Sequence, residues 1–159
     1  MEVKTYINIL IDSLQKKEAI LDRLIRLTQE QERIISSEAP DLDELENSFS
    51  EKETCITQLN QLDEGFEKVY QHVKEAFEGD REQFKDQILK LQELIRSVTE
   101  KGTGLQALEL KNRNRFQLFF AGRKKEIKNF KVSSRTANNY YKNAMNQQSG
   151  ESFFLDKKK

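Results

Sequence analysis

The sequence predicts an all-α fold: a long antiparallel helical hairpin, coiled-coil-like, with a further C-terminal helix and a flexible tail. Three observations lead there. Among 159 residues there are one Pro and six Gly, while the helix-favouring Glu, Lys, Gln and Leu are abundant. Apolar residues recur at alternating steps of three and four over most of the chain, the period of an amphipathic helix. Leu, Ile, Val and Phe number 43, above the roughly 20% below which chains stay disordered. A core is therefore available despite 34% charged residues, and one domain suits this length.

The first helix follows Val3, Ile7, Leu10, Leu14, Lys17, Leu21, Leu24, Thr28, Gln31 and Ile35. Seven of these ten positions are apolar, which makes an a/d seam roughly 50 Å long at about 1.5 Å per residue. Ile11, Ile20, Ile25 and Ile34 widen the stripe, as a bundle requires and a two-stranded coil does not. A break follows at Ser36-Ser37-Glu38-Ala39-Pro40, and Asp41-Leu42-Asp43-Glu44 reads as a capping box for the next helix.

The second seam runs through Leu42, Leu45, Phe49, Lys52, Ile56, Leu59, Asp63, Phe66, Tyr70, Val73 and Phe77. Two such helices joined by a short turn pack antiparallel. Gly79-Asp80 offers a stop, but the register continues through Phe84, Gln87, Leu91, Leu94 and Val98. A single Gly costs a helix only about 1 kcal/mol, so one kinked helix to about Lys101 is expected. Gly102-Thr103-Gly104 reads as the firmer stop, and a last helix follows Leu105, Leu108, Asn112, Phe116, Phe119, Ile127 and Phe130. The expected organisation is a helical domain over 1–131, made of a hairpin at 3–101 and a helix at 105–131, with a tail at 132–159.

Net charge is zero, but its halves differ. Residues 1–104 carry 14 basic and 23 acidic side chains, whereas residues 105–159 carry 13 basic and 4 acidic. An acidic hairpin and a basic last helix can dock on each other, and the surplus can steer a charged partner. The tail is polar, with isolated apolar groups at Tyr140-Tyr141, Met145 and Phe153-Phe154-Leu155. These resemble short docking motifs, since interface cores favour aromatics; the blander reading extends Tyr140 and Tyr141 onto the bundle.

Catalysis has little to work with. His72 is the only imidazole and lies in a helix with no ligand-spaced neighbour, so a bundle-edge position is expected. Cys55 adjoins the seam and reads as a small buried hydrophobe. No glycine-rich phosphate loop and no Cys/His cluster occurs, so neither a cofactor nor a metal is expected, nor an enzyme. The longest apolar run, Leu118–Ala121, is far short of the roughly 18 to 20 residues of a membrane span, and no signal peptide is evident. A cytoplasmic protein is the expectation.

Nucleic acid is the stronger rival partner. Lys111, Arg113, Arg115, Arg123, Lys124, Lys125, Lys128 and Lys131 interleave with Phe116, Phe119 and Phe120, a pattern that can bind single strands. Against it, the phenylalanines keep helical spacing and the acidic hairpin repels phosphate. It ranks below protein binding.

The order of these features resembles the FlgN family of flagellar type III export chaperones. The residues that carry it are Leu42-x-x-Leu45 with Lys52-Glu53, then Asn112-Arg113-Asn114-Arg115-Phe116, and the resemblance spans about Tyr6 to Tyr141. It implies a chaperone for hook–filament junction proteins that binds their C-terminal amphipathic helices, blocks premature assembly and hands them to the export gate and its ATPase. It also implies a client groove on Leu108, Asn112, Phe116, Phe119, Phe120, Ile127 and Phe130. Tyr140, Tyr141, Phe153, Phe154 and Leu155 are candidates for docking on the gate or back into that groove. The alternative outside this class is a coiled-coil scaffold or regulatory bundle. A homodimer is compatible with either, because an a/d seam serves intrachain and interchain packing alike. Heptads alone do not separate this group from the FliT type, which serves the filament cap protein.

Overall fold

A computed structural model of the chain describes residues 3–123, which form three helices: α1 (Val3–Ile35), α2 (Leu42–Gly79) and α3 (Lys85–Ala121). The all-α class is as the periodicity predicts. Ile127, Phe130, Tyr140, Tyr141, Phe153, Phe154, Leu155 and the rest of the expected tail lie outside the described residues.

The turn after α1 forms where expected. Asp41 caps α2, its Oδ1 accepting from the Glu44 backbone N–H at 3.1 Å. The Glu44 carboxylate meets Arg33 of α1 at 2.8 Å, so it ties the two helices together.

The chain breaks where a continuous helix was expected and continues where a break was expected. α2 stops at Gly79, and Asp80 Oδ1 accepts from the Gln83 backbone N–H at 3.2 Å in the reversal. In one unbroken helix Phe77 and Phe84 would be about 10 Å apart along the axis; instead their rings meet edge-on with centroids 5.8 Å apart. Length explains the fold-back. A helix over 42–101 would run about 90 Å against an α1 of about 50 Å, leaving Leu91, Ile95 and Val98 without a partner. Folding back at Asp80-Arg81, which places charge on the seam, buries all three against α1.

α3 then passes straight through Gly102-Thr103-Gly104. Two glycines cost on the order of 2 kcal/mol, less than the tertiary contacts on either side supply. Val98 and Leu105 are buried in one cluster, and Lys101 meets Asp22 at 2.8 Å and Glu18 at 3.8 Å. The hairpin at 3–101 and separate helix at 105–131 are thus corrected to three helices of similar length.

α3 runs parallel to α1, as the pairs Ser97–Glu18, Lys101–Asp22, Glu109–Thr28 and Arg115–Glu32 show. α1 carries the packing against both α2 and α3. The core has three apolar clusters along its length. One gathers around Leu10, Val73 and Ile95, a second around Leu24, Ile56 and Leu105, and a third joins Ile34, Leu45, Phe49 and Phe116.

Candidate functional site

Two polar layers separate those clusters, and both fall on positions of the predicted seams. In the first, Lys17 meets Asp63 at 2.8 Å. Burial lowers the Lys17 ammonium below its ordinary value and raises the Asp63 carboxyl, and in each case the partner's charge opposes the shift without overcoming it.

The second layer lies next to the Phe-rich end. Lys52 is fully buried and forms a short contact with Glu109 of α3, and its Nζ also donates to Gln31 Oε1 at 2.8 Å. Gln31 Nε2 donates to Ser48 Oγ at 3.0 Å, and Thr28 Oγ1 reaches Glu109 Oε1 at 3.0 Å. Burial lowers the Lys52 ammonium, and Glu109 opposes that shift. The layer is incomplete. Glu109 Oε2 and both polar atoms of Asn112 are buried without a hydrogen-bond partner among the described residues. Each such group costs about 1–3 kcal/mol when left unpaired.

Beyond this layer lies the foot of the bundle. Phe49 packs on Phe116 with ring centroids 5.5 Å apart, Phe116 on Phe120 at 6.3 Å, and Phe119 on Phe120 at 5.7 Å. Ile34, Leu45, Phe49 and Phe116 are buried there, while Ile35, Leu42, Phe119 and Phe120 are only partly covered. The Arg123 guanidinium lies 4.9 Å from the Phe119 ring centre, within cation–π range. Leu110 and Leu118, 68% and 76% exposed, project outward from α3.

The residues expected to line an open groove therefore divide. Leu108, Phe119 and Phe120 are half-buried. Asn112 and Phe116 are not on an open groove: they are 0% and 4% exposed. The reason is register, because the seam runs unbroken from Val98 through Leu105 to Asn112 and Phe116 and turns them toward α1 and α2. Glu109 was not singled out in the sequence; a buried carboxylate beside a plausible Leu108 seam position carries no hydropathy signal. What could have found it is Lys52, a cation on a seam that needs an anion.

Of the basic and aromatic residues that could hold a single strand, several are engaged internally. Lys111 and Arg115 both meet Glu32, at 3.6 and 2.8 Å, and the buried Phe116 ring offers no face for base stacking. His72 is exposed and stacks on Tyr6 with centroids 4.9 Å apart. Cys55 is 3% exposed, and burial pushes its thiol up from the ordinary value. Among the described residues no group of three or more His, Cys, Asp or Glu could hold a metal ion. Nor is any described helix long and apolar enough to cross a membrane.

A protein-family model described as FlgN protein matches residues 1–148. No curated protein and no solved structure matches the chain.

Proposed function

The chain belongs to the FlgN family of flagellar export chaperones, and from that premise we propose that its clients are the hook–filament junction proteins. It binds their C-terminal amphipathic helices in the cytoplasm, keeps them from assembling and delivers them to the type III export gate and its ATPase. The single observation that carries this reading is the partly covered apolar foot, where Phe119 and Phe120 of α3, with Ile35 and Leu42, are only partly buried. A helix that later polymerises carries an apolar stripe, and helix-in-groove docking covers such a stripe reversibly. Client contacts are assigned to Leu108, Phe119 and Phe120; Ile127 and Phe130, which the sequence spacing adds to them, lie outside the described residues.

The test is calorimetric titration of a junction protein's C-terminal helix into the wild-type chain and into Phe119→Ala/Phe120→Ala. Aromatic anchors at an interface are worth about 2 kcal/mol or more, so binding should weaken by roughly 30-fold at unchanged helicity. Equal affinities would remove the foot as the client site. Deleting residues 150–159 separates two roles for Phe153, Phe154 and Leu155: tighter client binding marks self-docking, and reduced export at constant affinity marks gate docking. Tyr140→Ala/Tyr141→Ala is read by the same export assay.

A further inference from the structure

The geometry points to a second, concealed half of the client site: the distal part of α3 is hinged at Gly102–Gly104 and lifts to admit a client helix against the incomplete polar layer at Asn112 and Glu109. The helix it fits is amphipathic and carries one Asn or Gln within its apolar stripe. This inference rests on the chaperone reading and specifies the chemistry of its partner.

The argument begins with what the closed bundle leaves unfinished. Asn112 is wholly buried, yet neither its amide oxygen nor its amide nitrogen has a partner among the described residues, and Glu109 Oε2 shares that state. Buried polar groups in folded chains are nearly always paired. A side-chain amide supplies what these three atoms lack, because it donates and accepts at once. A purely apolar helix would leave them orphaned, and a carboxylate would add repulsion to Glu109.

The fold also provides a way in. Immediately before this segment α3 carries Gly102 and Gly104. Neither glycine is there for a left-handed backbone, since no described residue has positive φ. A Cβ built on Gly104 meets nothing within 4 Å, so close packing does not require glycine there either. What Gly104 does is soften the helix. Beyond it, the buried apolar residues of α3 are Leu105 and Phe116, with the frustrated polar pair between them. Before it, Leu91, Ile95 and Val98 are buried within eight residues. Local opening follows low apolar contact density; the distal half is held instead by polar pairs, Lys52–Glu109 and Arg115–Glu32, which part as it lifts. Lifting it sets Phe116 and Asn112 on one side of a cleft and Phe49 on the other, where a fourth helix covers both.

The experiment uses the full chain and the C-terminal helix of a junction protein as a synthetic peptide, in two forms: as it stands, and with the amide in its apolar stripe replaced by Leu. Hydrogen exchange of the free chain should show amides at 105–121 exchanging at least tenfold faster than those at 91–98. Asn112→Leu, close in size and free of orphan atoms, should slow exchange at 105–121 and weaken binding of the unaltered peptide at least tenfold. The altered peptide should bind wild type about tenfold more weakly than the unaltered one, yet bind Asn112→Leu no more weakly than the unaltered one does. Uniform exchange along α3, or full affinity in a stabilised Asn112→Leu chain, overturns the hinged site while leaving the foot as a docking surface. Failure of the wild type to bind any junction helix overturns the chaperone client instead, and the exchange gradient still judges the hinge. Gly104→Ala, more than one helical turn before both polar groups, gives a second reading: a hinge requires it to slow exchange at 105–121, and an unchanged rate counts against one.

Discussion

Lys52 is a charge held out of water by its partners, and its removal has a definite sign. Taking away one member of a buried pair strands the other, which typically costs 3–5 kcal/mol. Lys52→Ala should therefore destabilise the fold by about that much in urea titrations, with the midpoint moving and the slope unchanged. Replacing both members, Lys52→Met with Glu109→Leu, should restore the loss. At the other layer, Asp63 carries a pH signature. Its folded-state pKa is raised above the ordinary 3.8, with burial the largest cause. A raised carboxyl contributes stability below the unfolded value and loses it as pH rises through the folded value. Acidification toward pH 4 should thus favour wild type relative to Asp63→Asn, the reverse of the usual carboxylate effect. Stability of the two chains compared across that range, with the Asp63 carboxyl followed by NMR, checks the sign.

At the scale of the helices, caps and glycines supply the cleanest tests. Asp41→Ala removes the side-chain acceptor at the start of α2 and should cost about 1 kcal/mol. Gly65 and Gly104 lie inside helices, and a Cβ on either meets nothing within 4 Å. Each change to Ala should raise stability by about 0.5–1 kcal/mol, read as a higher thermal midpoint. The same elements show what sequence could deliver. Seam spacing located α1 within a residue, and Asp41 located the start of α2, because both signals are local. The seams also ran through Lys17, Lys52, Asp63, Thr28 and Gln31, and the structure pairs Lys17 with Asp63, sets Lys52 and Thr28 on Glu109, and joins Gln31 to Lys52. The break after Gly79 was not decidable locally: apolar residues resume in the same register beyond the charged step at Asp80-Arg81, and only the length of α1 sets where α2 must turn back. At Gly102-Gly104 the error ran the other way. Glycine propensity outweighed the unbroken step from Val98 to Leu105, although tertiary burial overrides propensity routinely. The inward turn of Asn112 and Phe116 followed from that same step.

Over the whole molecule, the question is why a bundle this small keeps two charged layers. α3 contacts α1 across some 80 residues of sequence, as Thr28–Glu109 illustrates, and a heptad seam repeats every seven residues. Sliding α3 by one heptad would still set apolar residues against α1, so burial alone fixes the alignment weakly. Polar layers fix it well. A slide of seven would place Gly102 or Phe116 opposite Lys52, stranding a buried ammonium. Replacing the lower layer outright, with Thr28→Val, Gln31→Leu, Lys52→Met and Glu109→Leu, should raise stability by about 1–4 kcal/mol, since buried ion pairs are often outperformed by well-packed apolar groups. It should also loosen the alignment, giving extra amide resonances for α3 or a mixture of oligomers in sedimentation. One sharp set of resonances from a monodisperse, stabilised chain would instead assign register to the surface pairs Lys101–Asp22 and Arg115–Glu32. Screening those pairs with salt should then broaden the spectrum, because exposed pairs weaken as the Debye length falls to about 3 Å at 1 M.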